Sequence, residues 1–170
     1  MSGLLINIIG AESTGKSTLS AYLAQNFNAV LIPEFAREYC NTINPHPGLE
    51  DIHIIGEQQI KEFDLSLDSS KIVVFDTSLI TSLIWMYDKY GVSDLNFHQK
   101  YLAQKFDLTL LCYPDIGWQH DPLRQDPERQ AEIHQFYVNY LLQNNKKFQI
   151  ISGSYENREE IAKKMVQSLI

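Results

Sequence analysis

An eight-residue segment near the amino terminus constrains the fold more than any other part of the chain. It reads Gly10-Ala11-Glu12-Ser13-Thr14-Gly15-Lys16-Ser17 and fits the pattern G-x-x-x-x-G-K-[ST]. A nearly unbroken apolar run, Leu4 to Ile9, precedes it, and a segment with Leu19, Leu23 and Phe27 on one helical face follows it. A buried strand, a glycine-containing turn and an amphipathic helix in this order predict an α/β fold.

The rest of the chain continues the alternation of strand and helix patterns. Further apolar runs that predict strands are Ala29–Ile32, Lys71–Phe75, Leu108–Cys112 and Phe148–Ile151. Helical spacing returns between Ile133 and Leu141 and again at Ile161, Met165 and Leu169, where Asn157 and Glu160 predict a capping box. Strands separated by helices predict an open parallel sheet of about five strands with helices on both faces. We expect a single domain over residues 1–170.

Charge and hydropathy exclude several classes of function. The 14 Lys and Arg residues against 21 Asp and Glu give a net charge of −7, which disfavours a nucleic-acid partner. No stretch approaches the roughly 20 apolar residues of a membrane span, and no signal peptide pattern is present, so we expect a cytoplasmic protein without a membrane partner. The two cysteines and five histidines show no metal-ligand spacing.

The glycine-containing segment predicts a phosphate-binding loop, or P-loop. Gly10 and Gly15 permit close approach of backbone N–H groups to a phosphate, Lys16 is predicted to reach the β- and γ-phosphates of ATP, and Ser17 is predicted to bind Mg²⁺. The amino-terminal end of the following helix favours the same anion. The predicted ATP-binding residues are Gly10, Glu12, Ser13, Thr14, Gly15, Lys16, Ser17 and Thr18.

Asp76 is the candidate metal carboxylate. It follows the apolar run that begins at Lys71, and P-loop enzymes bring a carboxylate to Mg²⁺ from the end of such a strand. A carboxylate at this position can also cap the helix predicted after Thr77 and Ser78, and the two roles are compatible.

A second group of candidates follows the second predicted strand. Glu34, Arg37 and Glu38 share one helical face, and Glu34 comes directly after the strand. Because the carboxyl ends of parallel strands line the ligand crevice, Glu34 is a candidate to hold a substrate hydroxyl or take its proton. A solvated stripe of ion pairs is the alternative.

The stretch from Pro114 to Pro127 predicts a mobile lid over the site. Arg124 and Arg129 are the candidates to stabilise the transferring phosphate, and surface pairs with Asp121, Asp126 and Glu128 are the alternative. Trp118 on this loop is a candidate to stack on an aromatic or cationic ring, or to pack under the loop.

Four motifs together resemble a known family. They are Gly10 to Ser17, Glu34-Phe-Ala-Arg-Glu-Tyr39, Phe75-Asp-Thr-Ser-Leu-Ile-Thr81 and Trp118-Gln-His-Asp-Pro-Leu-Arg124, and their order and spacing resemble the ribosylnicotinamide kinase domain of NadR proteins. The resemblance covers essentially the whole chain and leaves no room for the adenylyltransferase domain that precedes this module in NadR. We therefore expect a stand-alone kinase module.

The resemblance implies ATP-dependent phosphorylation of the ribose 5′-hydroxyl of nicotinamide riboside. It implies that Lys16 and Ser17 serve ATP and Mg²⁺, Asp76 the metal or the hydroxyl, and Arg124 the transferring phosphate. With Arg129 from the lid, the candidate catalytic residues are Lys16, Glu34, Asp76, Arg124 and Arg129, and the candidate Mg²⁺ ligands are Ser17 and Asp76. Substrate binding is assigned to Glu34, Arg37, Trp118 and Asp121, with Trp118 facing the pyridinium ring.

The chain departs from the family pattern at two places. Ser78 stands where members often carry a second acid, and His120-Asp121-Pro122 replaces Asp-Asp-Gly in the lid. The alternatives are therefore a kinase for another nucleoside or small alcohol, or a non-catalytic ATP-binding regulatory module.

Overall fold

The computed structural model describes residues 3–43, 46–121, 124 and 127–170, and five parallel strands form its centre. The strands are β1 (Leu5–Ile9), β2 (Val30–Ile32), β3 (Val73–Asp76), β4 (Leu108–Cys112) and β5 (Gln149–Ile151). Their order is β2-β3-β1-β4-β5. The chain therefore leaves the central strand β1 toward one side of the sheet and later returns to its other side.

Seven helices and one 3₁₀ turn connect the strands in the described part of the chain. The helices are α1 (Lys16–Asn26), α2 (Phe35–Thr42), α3 (Leu49–Ser66), α4 (Leu79–Tyr90), α5 (Leu95–Ala103), α6 (Gln130–Gln143) and α7 (Tyr155–Gln167), and the 3₁₀ turn is Pro127–Arg129. None of the helices described is both long and apolar enough to cross a membrane.

The helices cover both faces of the sheet, as the alternation of strand side chains requires. Ile6 and Ile8 of β1 pack into a core with Leu19 and Leu23 of α1 and with Ala162 and Val166 of α7. Ile9 of the same strand packs on the opposite face against residues of α3, α4 and α6. The predicted α/β fold with a parallel sheet covered on both faces is thus confirmed.

One predicted helix start is wrong. Helix α7 begins at Tyr155, and Ser154 caps it by accepting a hydrogen bond from the Asn157 backbone N–H. The capping box predicted at Asn157 and Glu160 lies inside the first turns of this helix instead. The positive φ of Gly153, +92°, lets the chain turn sharply into α7, and this turn places Ser154 at the N-cap.

Candidate functional site

All five strands lead to site residues at one edge of the sheet, and β4 does so through the loop that carries Gln119 and Arg124. Gly10 follows β1, Glu34 follows β2 after one residue, Asp76 ends β3, and Tyr155 begins the helix after β5. At this edge the connection after β1 runs to β2 on one side and the connection after the neighbouring β4 runs to β5 on the other side, which makes it the switch point of the sheet. The parallel topology therefore gathers residues that are far apart in sequence.

The loop after β1 has the backbone conformation expected of a phosphate cradle. Gly10, Ser13 and Gly15 have φ values of +145°, +57° and +80°. A β-carbon at Gly10 would lie 2.9 Å from the carbonyl oxygen of Cys112 in the neighbouring strand β4. Glycine at this position thus lets the loop turn closely against the sheet.

Helix α1 begins within this loop at Lys16, which places its first side chains at the site. Lys16 is 9% exposed, and its Nζ donates to the carbonyl oxygen of Ala11 at 2.7 Å. Ser17 and Thr18 are exposed and line the cleft above the loop. The residues predicted to bind ATP are therefore together, except that Gly10 lies in the loop's base.

Asp76 is buried at the carboxyl end of β3 and is 5% exposed. Burial raises the pKa of its carboxyl group, the negative charge of Glu34 raises the pKa further, and a hydrogen bond with Ser17 lowers it. Oδ1 of Asp76 has no hydrogen-bond partner among the described residues. The cap of helix α4 is Ser78, so capping is not the role of Asp76.

Glu34 and Arg37 lie at the start of α2 beside Asp76. Nε of Arg37 is 3.6 Å from Oε2 of Glu34, and Nη1 of Arg37 donates to Oδ2 of Asp121 at 2.7 Å. The hydrogen bond to Asp121 raises the pKa of the Arg37 guanidinium. Arg37 thus connects the second strand's site residues to the loop after β4.

That loop also reaches the phosphate-binding loop directly. The backbone N–H of Gln119 donates to Oγ of Ser13 at 2.8 Å, and Nη1 of Arg124 is 3.4 Å from the same oxygen. Arg124 also donates to the Gln119 carbonyl oxygen at 2.8 Å and lines the cleft. Among the predicted lid residues, Gln119, Asp121 and Arg124 are therefore at the site.

Two predicted site residues lie elsewhere. Trp118 is half-buried on the loop but lines neither of the two clefts at the site. Arg129 pairs with Asp88 of α4 at 2.6 Å and with Glu132 of α6 at 2.8 Å. Ion pairing was the alternative predicted for this arginine, but with Asp121, Asp126 and Glu128; the observed pairs with Asp88 and Glu132 hold it on the side of α4 and α6. Asp126 and Pro122 of the same loop lie outside the described residues.

The site consists of two clefts that share residues. The main cleft is lined by the loop from Glu12 to Thr18 together with Arg37, Gln119, Arg124 and Tyr155. The side cleft is bounded by Thr81, Ile84 and Asp88 of α4 and by Ile133 and Tyr137 of α6. Glu12, Lys16, Glu34, Trp85 and Lys89 line both clefts. A group bound in one cleft would thus meet a group bound in the other beside these shared residues, Lys16 among them.

Sequence reasoning missed the side chains that helix α4 contributes. Trp85 lines both clefts and has the Lys89 ammonium 5.8 Å from its ring centroid. Tyr155 was also missed, and its ring would lie 3.1 Å from a β-carbon placed on Gly15. The position of Tyr155 just after β5 was the signal that could have identified it, since strand ends line the crevice.

Arg158 of α7 is the buried residue that supports the phosphate-binding loop from below. It is 1% exposed and donates to the carbonyl oxygens of Thr14 at 2.7 Å, Tyr113 at 2.8 Å and Gly153 at 2.8 Å. It also forms an ion pair with Asp115. One guanidinium thus joins the loop after β1 to the ends of β4 and β5.

The chain is similar to known proteins over nearly its whole length. It is 28% identical over 166 residues to the trifunctional NAD biosynthesis/regulator protein NadR of Escherichia coli (strain K12), which covers 90% of this chain and 39% of the relative. The NadR of Salmonella typhimurium is also 28% identical, over 167 residues. The chain therefore spans about two fifths of the length of these curated relatives, 39% in each.

Solved structures show the same fold. A NadR protein in complex with NAD and AMP-PNP superposes with a TM-score of 0.79 at 23% identity, covering 98% of this chain and 49% of that chain. Deoxyadenosine kinase from M. mycoides superposes with a TM-score of 0.71 at 16% identity, covering 97% of this chain and 100% of that chain. The predicted P-loop fold and the resemblance to NadR proteins are confirmed.

The family described as AAA domain matches residues 5–158, and because this match spans most of the chain, the chain belongs to that family.

Proposed function

We propose that this chain is an ATP- and Mg²⁺-dependent kinase that phosphorylates the ribose 5′-hydroxyl of nicotinamide riboside to give nicotinamide mononucleotide. The observation that carries the proposal is the junction of the two clefts at Lys16, with Glu34 on the same wall. A phosphate donor in the main cleft and a hydroxyl acceptor in the side cleft would then meet beside a lysine and a carboxylate. The similarity to NadR, whose solved structures include a complex with NR, supports this acceptor.

The residues at the end of β3 fit a magnesium ion. Oδ1 of Asp76 is buried without a hydrogen-bond partner among the described residues, and the Ser17 hydroxyl contacts the same carboxyl group. Carboxylate and hydroxyl oxygens are ligands that Mg²⁺ prefers, usually together with phosphate oxygens and water. When bound, the ion would neutralise charge on the β- and γ-phosphates.

We assign the binding of the phosphate donor, ATP, to the phosphate-binding loop and Arg124. Backbone N–H groups of the loop hold the phosphates, Lys16 stabilises charge on the transferring group, and Arg124 approaches from the loop after β4. Arg124 is held close to this place by its contacts with Ser13 and the Gln119 carbonyl oxygen. Tyr155, beside Gly15, is positioned to contact the nucleotide base.

We assign contact with the acceptor hydroxyl, and removal of its proton, to Glu34 and Asp76. Glu34 lines both clefts, Asp76 is buried close to it, and the negative charge of Glu34 raises the pKa of Asp76. A carboxyl group with a raised pKa is a better proton acceptor, and Glu34 faces the side cleft directly. Either carboxylate can take the hydroxyl proton, and Trp85 supplies a surface for stacking of the acceptor base.

The test is an assay of the purified chain with Mg-ATP and a panel of nucleosides that includes nicotinamide riboside, adenosine and thymidine. Formation of ADP and nicotinamide mononucleotide in equal amounts is expected, and Lys16→Ala is expected to lose activity by about 10²–10³-fold or more. Lys147→Ala is the matched control because Lys147 is exposed and lines neither cleft.

Three results would contradict the proposal in different ways. Absence of nucleoside-dependent ADP would favour a non-catalytic ATP-binding module. Product from adenosine or thymidine alone would move the assignment to another nucleoside. Near-normal turnover of the Lys16→Ala variant would refute the role given to that lysine.

A further inference from the structure

One ion pair joins helix α2 to the loop after β4 across the main cleft. Nη1 of Arg37 donates to Oδ2 of Asp121 at 2.7 Å, and Nε of the same guanidinium is 3.6 Å from Oε2 of Glu34. The guanidinium is planar and its donors point in fixed directions, so a hydrogen bond that holds Nη1 also sets the direction in which Nε faces Glu34. Asp121 therefore orients the arginine that lies beside the acceptor-side carboxylate.

The same aspartate is joined to the arginine assigned to the phosphate donor. The backbone N–H of Arg124 donates to the carbonyl oxygen of Asp121 at 2.9 Å. Nη1 of Arg124 is 3.4 Å from Oγ of Ser13, which also accepts from the backbone N–H of Gln119 at 2.8 Å. The loop after β4 is thus attached to the phosphate-binding loop through Ser13 and to α2 through Asp121, and Arg124 is joined to both attachments.

Asp121 itself lines neither cleft, whereas the main cleft is lined by Glu34, Arg37 and Arg124. Its carboxylate is therefore placed to orient side chains of the site instead of touching a bound substrate. The side chains of the pair are 41% exposed for Arg37 and 21% exposed for Asp121. Ion pairs with such exposure contribute little to stability, so we expect the contact to matter for the geometry of the site more than for the fold.

We propose that Asp121 is a positioning residue for phosphoryl transfer, which holds Glu34 and Arg124 in place through its ion pair with Arg37. This rests on the proposed kinase function and assigns a new role within the same site. Without the Asp121 carboxylate, Arg37 is left with Glu34, which is already 3.6 Å away, as its partner. A carboxylate paired closely with an arginine has a lower pKa and is a weaker base.

The transfer step itself does not involve Asp121. The 5′ oxygen forms a bond to the γ-phosphorus of ATP, the bond from that phosphorus to the bridging oxygen of ADP breaks, and the hydroxyl proton passes to Glu34 or Asp76. A residue that only orients the groups around this step affects kcat more than the binding of either substrate. The proposal therefore predicts a loss of kcat that depends on Arg37.

The experiment is a double-mutant cycle of Asp121→Ala and Arg37→Met in the full chain, with Mg-ATP and nicotinamide riboside. Asp121→Ala is expected to lower kcat by about 10–100-fold, the range for a misplaced reacting group, and to change the KM of either substrate by less than about threefold. In the Arg37→Met background, the same substitution is expected to lower kcat by less than about threefold, because its partner is already gone. Asp68→Ala is the matched control, since Asp68 is exposed and lines neither cleft.

A second measurement does not require an acceptor. Trp118 lies three residues before Asp121 on the same loop and is half-buried, and Trp85 is the other of the chain's two tryptophans. In a Trp85→Phe background, acrylamide quenching of Trp118 fluorescence reports how well the loop is held in the ligand-free chain. Asp121→Ala is expected to increase the quenching, and Asp68→Ala is expected to leave it unchanged.

The outcomes separate this proposal from the function on which it rests. An unchanged kcat in Asp121→Ala, an equal loss of kcat in both backgrounds, or a rise confined to the KM of the nucleoside would overturn the positioning role, and continued phosphorylation would leave the proposed function standing. Unchanged quenching would likewise overturn the attachment of the loop by Asp121. If the wild-type chain phosphorylates no nucleoside, the proposed function fails, and the positioning role fails with it even where the quenching increases.

Discussion

At the scale of single residues, Arg158 shows how a side chain outside the cleft can set the shape of the loop that forms it. Its guanidinium is the shared donor for carbonyl oxygens after three different strands, including that of Thr14 within the loop. Arginine fits this place because its planar group carries several donors in fixed directions. The loop and the sheet edge are therefore held as one unit.

We expect Arg158→Met to destabilise the fold and to weaken ATP binding. Removal of the guanidinium leaves buried carbonyl groups and Asp115 without their donor, at a cost of about 3–5 kcal/mol. Urea unfolding and the KM for ATP are the measurements, and KM should rise by a larger factor than kcat falls. Lys164→Met on the exposed face of the same helix is the control, with an expected change within about 0.5 kcal/mol. An unchanged KM for ATP in Arg158→Met would show that the arginine supports only stability.

Asp76 illustrates a conflict between stability and function at one residue. Burial raises the pKa of its carboxyl group in the folded chain, and Glu34 adds to this effect. Because the folded pKa lies above the unfolded value, the favourable contribution of the protonated group is present at low pH and is lost as pH rises through the folded pKa. A metal requires the ionised carboxylate. In the absence of a metal, this ionised form therefore makes the folded chain less stable than the protonated form does.

We expect Asp76→Asn to raise the free energy of unfolding at pH 7 in the absence of Mg²⁺ and nucleotide. The gain should shrink as pH falls toward the unfolded value of about 3.9, where the wild-type carboxyl group is also protonated in the folded state. Urea unfolding of both proteins at a series of pH values measures the difference. Kinase activity of the variant should be lost at the same time. A variant less stable than the wild type at pH 7 would show that Ser17 and Lys16 more than compensate for burial.

At the scale of elements, the strands were the part of the fold that the sequence predicted best. Leu108–Cys112 matches β4 at both ends, and the other four predicted strands start one or two residues before the observed ones and end at the same residue or one residue early. Buried parallel strands are continuous apolar runs, which stand out in any sequence. Site residues at the carboxyl ends of strands, such as Glu34 and Asp76, were found by the same reasoning.

Helix α3 and the site residues of α4 could not be found in this way. Gly56 and Gln59 occupy buried positions of α3 between Ile55 and Ile60, so the apolar spacing of this helix is interrupted. The Gln59 amide oxygen accepts from Ser82 of α4, a contact that only the folded chain reveals. Trp85 and Lys89 lie two to three turns into α4. The spacing of apolar residues along a helix distinguishes its buried face from its exposed face, but it does not show which residues line a cleft.

The packing of α3 against α5 gives a test at this scale. A β-carbon on Gly56 would lie 2.2 Å from the ring of Phe97, which is 1% exposed. Alanine normally stabilises a helix interior by about 1 kcal/mol relative to glycine, but we expect Gly56→Ala to destabilise by about 1–3 kcal/mol because the ring cannot move away. Gly117→Ala is the control, since no atom lies within 4 Å of its β-carbon. Chemical denaturation measures both, and a stabilised Gly56→Ala variant would show that the two helices separate readily.

At the scale of the whole molecule, ligand binding should connect the two sides of the sheet. The main cleft takes residues from the loop after β1, from α2, from the loop after β4 and from α7. These segments meet at the carboxyl edge of the sheet, and they include both sides of the central strand. A nucleotide held by all of them would oppose separation of the elements and would raise the stability of the entire fold.

We therefore expect Mg-ATP to raise the melting temperature of the chain, and removal of Mg²⁺ with EDTA to abolish most of the rise. A ligand at about 100 times its Kd stabilises the folded state by about 2.7 kcal/mol, which for a chain of this size corresponds to roughly 5–10 °C. Lys16→Ala should lose most of the shift because the proposed site gives this lysine the phosphates, whereas Lys147→Ala should keep it. Differential scanning calorimetry at several ATP concentrations provides the measurement. A shift that survives in Lys16→Ala and in EDTA would place the nucleotide outside the loop from Gly10 to Ser17, and the assignment of the main cleft to ATP would then be wrong.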